Sequence, residues 1–345
     1  MTELFLVLAS AAWALAVIRY AMPIGQRLGV LDVPGAQPHK EHAEPTPLVG
    51  GIACIPPVIV TLLLVSALGE GRAYEMAAAW AMAGAVFVTF LIGYCDDRRH
   101  IHAWKRLLLC GLVFAVALYF APVFVVPALN FQTLGVKVDL GLLAAPFTVL
   151  CLLALQNAVN MADGRNGLVT GVTVIWIAAL LSYSNHFSMI YLTPFLAALA
   201  LVLAANLRGR LFLGDAGTYA IGAFMGLMII WLHHANVGLY TMDVVTIVLV
   251  PIADMLRLFV TRLARGGHPF DAGRDHLHHL LGDTWGWKRG RLIYWAMVAI
   301  PIVTMRTQVA PGWQSVCIGL VLYGVVFAAA KQLLLNNALA LDRPD

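Results

Sequence analysis

Apolar residues run through this chain in blocks about as long as a bilayer is thick, and polar residues collect in the gaps. About 20 apolar residues span hydrocarbon as a helix. Blocks near 3–22, 49–68, 77–94, 107–127, 139–158, 168–185, 187–205, 216–233, 243–263, 291–307 and 313–333 meet or approach that length. The pattern predicts an all-α, polytopic membrane helix bundle of about eleven transmembrane helices in a single domain, 1–345. No internal repeat or low-complexity tract interrupts it.

Two blocks need separate reading. Leu4–Ile18 is preceded by Glu3 and followed by Arg19. A signal peptide carries its positive charge before the apolar run, so this block reads as a retained first helix with its N-terminus outside. In the block 243–263, the uninterrupted stretch Val244–Ala253 is short for a span, Pro251 removes a helix hydrogen bond, and Asp254 and Arg257 follow three residues apart. This predicts a bent helix whose second half turns toward a polar cavity, with Asp254 a candidate substrate contact. A proline-kinked span with a structural ion pair is the plainer alternative.

Charge orients the bundle. With the N-terminus outside, 23–48, 95–106, 159–167, 206–215 and 264–290 become cytoplasmic loops, and the C-terminus is cytoplasmic. Thirteen basic residues fall in those loops, from Arg27 and Lys40 to Lys288 and Arg289, against Arg72, Lys137 and Arg306 on the other side. That asymmetry is the positive-inside bias. Trp104, Trp285 and Trp287 stand near cytoplasmic ends, where interfacial anchors belong.

Composition agrees. The 345 residues are 61% hydrophobic and 12% charged, with mean hydropathy +0.83, so the lipid bilayer is the outer solvent. A net charge of +4 without a Lys/Arg-rich run or an RNA-binding aromatic motif predicts no nucleic-acid partner. Five scattered cysteines, mostly inside apolar blocks, read as small hydrophobes and not as a disulfide framework or a zinc site.

The remaining polar residues crowd the cytoplasmic loops. The first holds His39-Lys40-Glu41-His42 and Pro45-Thr46-Pro47-Leu48-Val49-Gly50-Gly51; the second opens with Asp96-Asp97 and ends with Lys105-Arg106. The third runs from Asn157 through Asn160 and Asp163 to Asn166-Gly167, the fourth from Asn206 through Phe212 to Gly214-Asp215, and the last carries Asp275-His276-Leu277-His278-His279. Ionisable groups at membrane depth are expensive and point to function. Carboxylates and amide oxygens suit Mg²⁺, cations and imidazoles neutralise phosphate, and glycines admit close backbone approach. Together they suit phosphoryl transfer between anionic substrates, where positioning and charge neutralisation supply most of the catalysis. Zinc is a minor alternative, because His276, His278 and His279 are not expected to project alike from one helix and no Cys or Glu completes a familiar spacing.

In their order, these motifs resemble the polyprenyl-phosphate N-acetylhexosamine-1-phosphate transferase family, over roughly residues 31 to 281. They look most like the bacterial enzymes that move N-acetylglucosamine-1-phosphate onto undecaprenyl phosphate. The matching elements are Asp32 with the Pro-Thr-Pro-x-x-Gly-Gly segment, Asp96-Asp97, Asn157-x-x-Asn160-x-x-Asp163-Gly164, Phe212-x-Gly214-Asp215-x-Gly217 and His276-x-His278-His279. The resemblance implies a Mg²⁺-dependent reaction, with Mn²⁺ an alternative, in which a UDP-N-acetylhexosamine and undecaprenyl phosphate give a polyprenyl-diphosphate-sugar and UMP. It implies Asn160 and Asp215 as metal ligands and Asp96, Asp97 and Asp163 as catalytic residues. Phe212 would stack on uracil and Asn166, where most bacterial members have Asp, would contact its edge. Arg106 and the three histidines would hold the diphosphate, with Lys40, His42, Thr46 and Lys105 as further substrate contacts. The bacterial inner membrane, with the site facing the cytoplasm, and an envelope glycan such as O-antigen are the expected setting. Within the family, the phospho-N-acetylmuramoyl-pentapeptide transferases are the alternative, although that branch tends to three consecutive histidines and Leu277 intervenes here. Outside it stands a secondary transporter, which would place charges at mid-membrane and tends to carry inverted repeats.

Overall fold

The computed structural model describes residues 1–33, 44–69, 73–183, 186–235, 238–268, 270 and 273–341. They fold into thirteen α-helices with two short two-stranded sheets, and the chain divides into two compact units. The first joins Met1–Asn130 to Lys137–Leu239, and the second joins Phe131–Val136 to Tyr240–Asp345.

The first unit contains α1 (Thr2–Arg19), α2 (Ala21–Leu28), α3 (Gly50–Ala67), α4 (Ala73–Arg99), α5 (Ala103–Phe120), α6 (Ala144–Ala162), α7 (Leu168–Leu181), α8 (His186–Asn206) and α9 (Gly214–His234). Its core is α9, which is buried along almost its whole length and packs against α3, α4 and α6. Small residues allow that approach, as they do between membrane helices generally. Gly222 faces Gln156 of α6, Gly226 faces Leu152, and Gly93 of α4 lies against the Asp215 backbone. At the periphery α1 and α5 turn Leu4, Phe5, Leu8, Leu108, Leu112 and Val116 outward. Such apolar outer faces are stable only where the solvent is hydrocarbon. A two-residue strand, β1 (Leu31–Asp32), pairs antiparallel with β2 (Thr46–Pro47) beside the polar ends of the helices.

The second unit holds α10 (Thr241–Ala264), α11 (Leu277–Trp285), α12 (Trp287–Arg306) and α13 (Trp313–Leu341), with α10, α12 and α13 packed on one another and α11 on α12 and α13.

All eleven predicted blocks coincide with helices. Among the described residues, nine helices are long and apolar enough to cross a membrane. The two predicted spans outside that set are α7, with 14 residues, and α12, whose first turns carry Lys288, Arg289 and Arg291. The predicted span 243–263 is α10, a 24-residue helix that runs through Pro251 and is long and apolar enough to cross a membrane despite its short uninterrupted apolar stretch. The segments 23–48 and 264–290, read as loops, contain α2 and α11. Both helices are short, eight and nine residues, below the length that a run of hydropathy reveals.

A carboxylate-lined candidate active site

The C-terminal ends of α4, α6 and α8 and the N-terminal end of α9 enclose a cavity of about 230 Å³ in the first unit. Asp97, Asn160, Asp163, Asn166, Phe212 and Asp215 all line it, so six of the predicted site residues converge. Asp32, Arg165 and Asn206 line it too. Sequence reasoning left these three unassigned, although Asp32 opens one of the recognised motifs and Arg165 and Asn206 stand inside the loops singled out.

The local folding that builds this cavity is specific. Helix α9 has no side-chain cap of its own, and Asp97 supplies one from α4. The Asp97 oxygens accept the Asp215 N–H at 2.8 Å and the Ala216 N–H at 3.0 Å. A carboxylate there satisfies two orphan donors and faces the positive end of the helix dipole. Gly214 is required at the turn: its φ is +72°, and a Cβ would sit 2.7 Å from Asp97 Oδ2. Asn160 on α6 donates to Asp215 Oδ1 at 2.6 Å and to Thr218 Oγ1 at 3.1 Å. Asn206 ties two loops together. Its oxygen accepts the Gly167 N–H at 2.6 Å, and its amide donates to the Leu211 carbonyl at 2.9 Å. The loop bearing Asp163 and Asn166 is thereby fixed to the loop bearing Phe212. The Phe212 backbone is clamped in turn, donating to the Pro47 carbonyl and accepting from the Gly50 N–H.

Adjacent aspartates have different employment. Asp96 is buried and does not line the cavity; it accepts from Ile101 N–H at 2.6 Å, Arg106 Nη1 at 2.7 Å and Tyr219 Oη at 2.8 Å. It thereby ties Arg106 of α5 and Tyr219 of α9 to the end of α4. Arg106, half-buried, lies over the Tyr219 ring and does not line the cavity. Lys105 is exposed, beside the Trp104 ring, and Thr46 is buried with its hydroxyl donating to the Glu44 carbonyl, so neither reaches the cavity. Lys40 and His42 lie outside the described residues. Burial, with the Asp215 carboxylate nearby, pushes Asp163 up to about 7.

In the second unit the three histidines gather, although they do not all project from one helix. His276 precedes α11 while His278 and His279 occupy its first turn, and this brings the rings of His276 and His278 to 5.1 Å and those of His278 and His279 to 4.3 Å. Asp254 is buried among Arg257, Tyr323, His276 and the Leu277 N–H, and its carboxylate pairs with Arg257 at 2.8 Å.

No group of three or more His, Cys, Asp or Glu side chains that could hold a metal ion occurs among the described residues. The cavity still fits a hard cation of the Mg²⁺ kind, which takes one or two carboxylates and completes its shell with water and substrate phosphates. Asp97, Asp163 and Asp215 offer oxygens there, and Asn160, whose nitrogen is spent on Asp215, keeps its carbonyl oxygen as a neutral ligand.

Fold and cavity together define an integral, multi-pass, all-α membrane protein with an oxygen-rich site at one end of its central helices. Residues 79–233 match the family model described as glycosyl transferase family 4, a segment that contains every cavity residue except Asp32 and Leu48. The chain is 28% identical over 276 residues, 76% of its own length and 71% of the other's, to the undecaprenyl-phosphate alpha-N-acetylglucosaminyl 1-phosphate transferase of Escherichia coli (strain K12). It is 25% identical over 275 residues, 75% and 71% of the two chains, to the probable undecaprenyl-phosphate N-acetylglucosaminyl 1-phosphate transferase of Bacillus subtilis (strain 168). Over a shorter stretch of 207 residues, 56% of this chain and 63% of the other, it is 29% identical to the phospho-N-acetylmuramoyl-pentapeptide-transferase of Clostridium perfringens (strain 13 / Type A). The resemblance read from the motifs holds: over most of its length the chain is similar to these transferases.

Proposed function

We propose that this protein transfers a sugar-1-phosphate from a UDP-sugar to a polyprenyl phosphate, releasing UMP. N-acetylglucosamine-1-phosphate is the moiety transferred and undecaprenyl phosphate the acceptor. The single observation that carries this reading is the convergence of Asp97, Asn160, Asp163, Asn166, Phe212 and Asp215 on one cavity. Relatives named for that reaction, aligned over three quarters of the chain, support it.

The residues divide the work. Phe212 offers a ring for the nucleobase, and Asn166, able both to donate and to accept, reads its edge. Asp215 and the Asn160 oxygen would hold Mg²⁺, with Asp163 beside them. Mg²⁺ held there would neutralise charge on the donor diphosphate and on the phosphate of the departing UMP. Arg165 adds a fixed cation at the cavity wall. Asp97, held rigidly on the α9 terminus, orients the acceptor. The acceptor phosphate already carries about −1.5 to −2 charges, as phosphate monoesters do at neutral pH, so it attacks the sugar-linked phosphorus directly without needing a strong base. The histidine cluster contacts donor phosphate. The basic residues in the loops around the site support a cytoplasmic orientation in a bacterial inner membrane, where the product would prime an envelope glycan such as O-antigen.

A second reading, phospho-N-acetylmuramoyl-pentapeptide transfer, is favoured by the clostridial relative, over a shorter stretch. Purified protein incubated with undecaprenyl phosphate, Mg²⁺ and either UDP-N-acetylglucosamine or UDP-N-acetylmuramoyl-pentapeptide decides between them. The expected result is a lipid-linked N-acetylglucosamine diphosphate and UMP, lost on chelation and restored by Mg²⁺. Turnover of the pentapeptide donor alone selects the second reading, and turnover of neither refutes both.

A further inference from the structure

The Asp254 network belongs wholly to the second unit and nothing in the reaction scheme uses it directly. Helix α11 has no side-chain cap from its own N-cap residue, His276. Asp254 of α10 takes that place from another helix. Its oxygens lie 3.2 and 3.3 Å from the Leu277 nitrogen, and Oδ2 lies 3.7 Å from His276 Nδ1. The carboxylate is itself held from two sides. Arg257 Nη2 donates to it at 2.8 Å and the Tyr323 hydroxyl of α13 at 2.9 Å. Arg257 also donates through Nε to the Tyr323 oxygen at 2.8 Å and through Nη2 to the Asp275 carbonyl at 2.6 Å, just before the histidines, while its guanidinium lies over the Phe327 ring.

Three of these contacts, to Leu277, His276 and the Asp275 carbonyl, end on the segment that starts α11. An ionised carboxylate buried at 5% exposure is costly unless it is fully engaged. This one is engaged by the Leu277 N–H, Arg257 and Tyr323, with His276 beside it. Rotation of the first turn of α11 would break the Leu277 and His276 contacts together and separate rings now 4.3–6.3 Å apart.

We infer that Asp254 is a positioning residue: with Arg257 and Tyr323 it caps α11 from a neighbouring helix and thereby sets the orientation of the His276–His278–His279 ring cluster. The consequence for turnover rests on the proposed role of those histidines in holding donor phosphate; the anchoring itself does not.

The test has two independent arms on full-length protein in detergent or nanodiscs. In the first, diethyl pyrocarbonate labelling is read by mass spectrometry for His278 and His279, with the exposed His100 as internal reference. Asp254→Asn presents an amide N–H₂ to donors that need an acceptor. It is expected to speed labelling of both histidines at least about fivefold relative to His100, as local opening of the first turn would. In the second, kcat/KM for the UDP-sugar is measured for Asp254→Asn, His278→Ala and the double variant. Each single change is expected to cost about tenfold or more, and the double variant is expected to lose little beyond the worse single, because both act through one ring cluster. A merely structural carboxylate would give additive losses and unchanged relative labelling, and either result overturns the inference. If Asp254→Asn does not accumulate as folded protein, Tyr323→Phe decides, with an expected rise in labelling of about twofold or more and the inference overturned if labelling is unchanged. If the unaltered protein turns over no UDP-sugar, the proposed function fails while the labelling arm still decides the anchor.

Discussion

Asp96 and Asp97 are neighbours in sequence but face different surroundings, and the difference is testable at single residues. A carboxylate whose oxygens already accept from Ile101, Arg106 and Tyr219 has little left for substrate, whereas Asp97 borders the cavity. Asp97→Asn is expected to lower kcat about ten- to a hundredfold with donor KM within about threefold, since hydrogen bonds to charged groups contribute about 1.5–3 kcal/mol. Asp96→Asn is expected to raise KM through a displaced Arg106 and to lower the thermal midpoint. Steady-state kinetics with varied UDP-sugar separates the two, and identical effects would merge their roles. Asn166 allows a sharper comparison. Asn166→Asp keeps an acceptor for the uracil N–H and should shift mainly KM, whereas Asn166→Ala should lose more, because an unpaired polar edge costs about 1–3 kcal/mol. A large kcat gain in Asn166→Asp with unchanged KM would remove Asn166 from nucleobase recognition. Asp163 carries a pH signature. Its folded value of about 7 lies above the ordinary carboxylate range, so the native state holds a proton that the unfolded chain has released. Between that ordinary range and pH 7, stability of metal-free protein therefore falls as pH rises. Asp163→Asn should flatten the fall, read as thermal midpoints of EDTA-treated protein from pH 5 to 8.

At the scale of elements, two helices start on carboxylates borrowed from elsewhere: α9 on Asp97 of α4, and α11 on Asp254 of α10. Such caps are invisible to local sequence rules, which look for the capping residue at the helix start itself. This is why the motifs were legible while the capping roles of Asp97 and Asp254 were not. Spacing marks which residues matter, but partners 118 or 23 positions away decide what they do. Hydropathy located all eleven predicted helices for the plain reason that lipid-facing and core residues are both apolar in a membrane protein. It missed α2 and α11 because neither is long enough to form an apolar run. The glycines of α4 turn this into a paired prediction. A Cβ at Gly93 would run into the Asp215 carbonyl and lie 2.6 Å from Ala216 Cα, whereas one at Gly84 meets nothing within 4 Å. Gly93→Ala must push α4 from α9, at the end that bears Asp97 and Asp215, and overpacking of this kind costs about 1–3 kcal/mol. It should lower the melting temperature in detergent and nearly abolish transfer, with Gly84→Ala close to unaltered protein in both.

For the molecule as a whole, the proposed reaction depends on orientation, because a cytoplasmic UDP-sugar reaches the cavity only if the cavity opens on the cytoplasmic face. Helix α9 sets the geometry of the first unit. Twenty-one residues rise about 31 Å, the thickness of the hydrocarbon core, so the loop before Gly214 and the loop after His234 lie at opposite surfaces. The cavity residues cluster at the Gly214 end, beside the loop with Arg208 and Arg210. Helix α6 approaches its cavity end at Asn160, so Lys137, upstream of its start at Ala144, belongs to the opposite surface. The positive-inside bias predicts that the arginine side faces inward. A cysteine-free background must come first, because Cys95, Cys151 and Cys317 are exposed. In that background, Lys137→Cys should react with a membrane-impermeant maleimide in intact cells, and Arg208→Cys only after permeabilisation. Labelling of Arg208→Cys from outside would invert the topology and put the cavity out of reach of a cytoplasmic nucleotide sugar. Labelling of both from outside would mean that the two loops share a surface, which a 31 Å central helix does not permit.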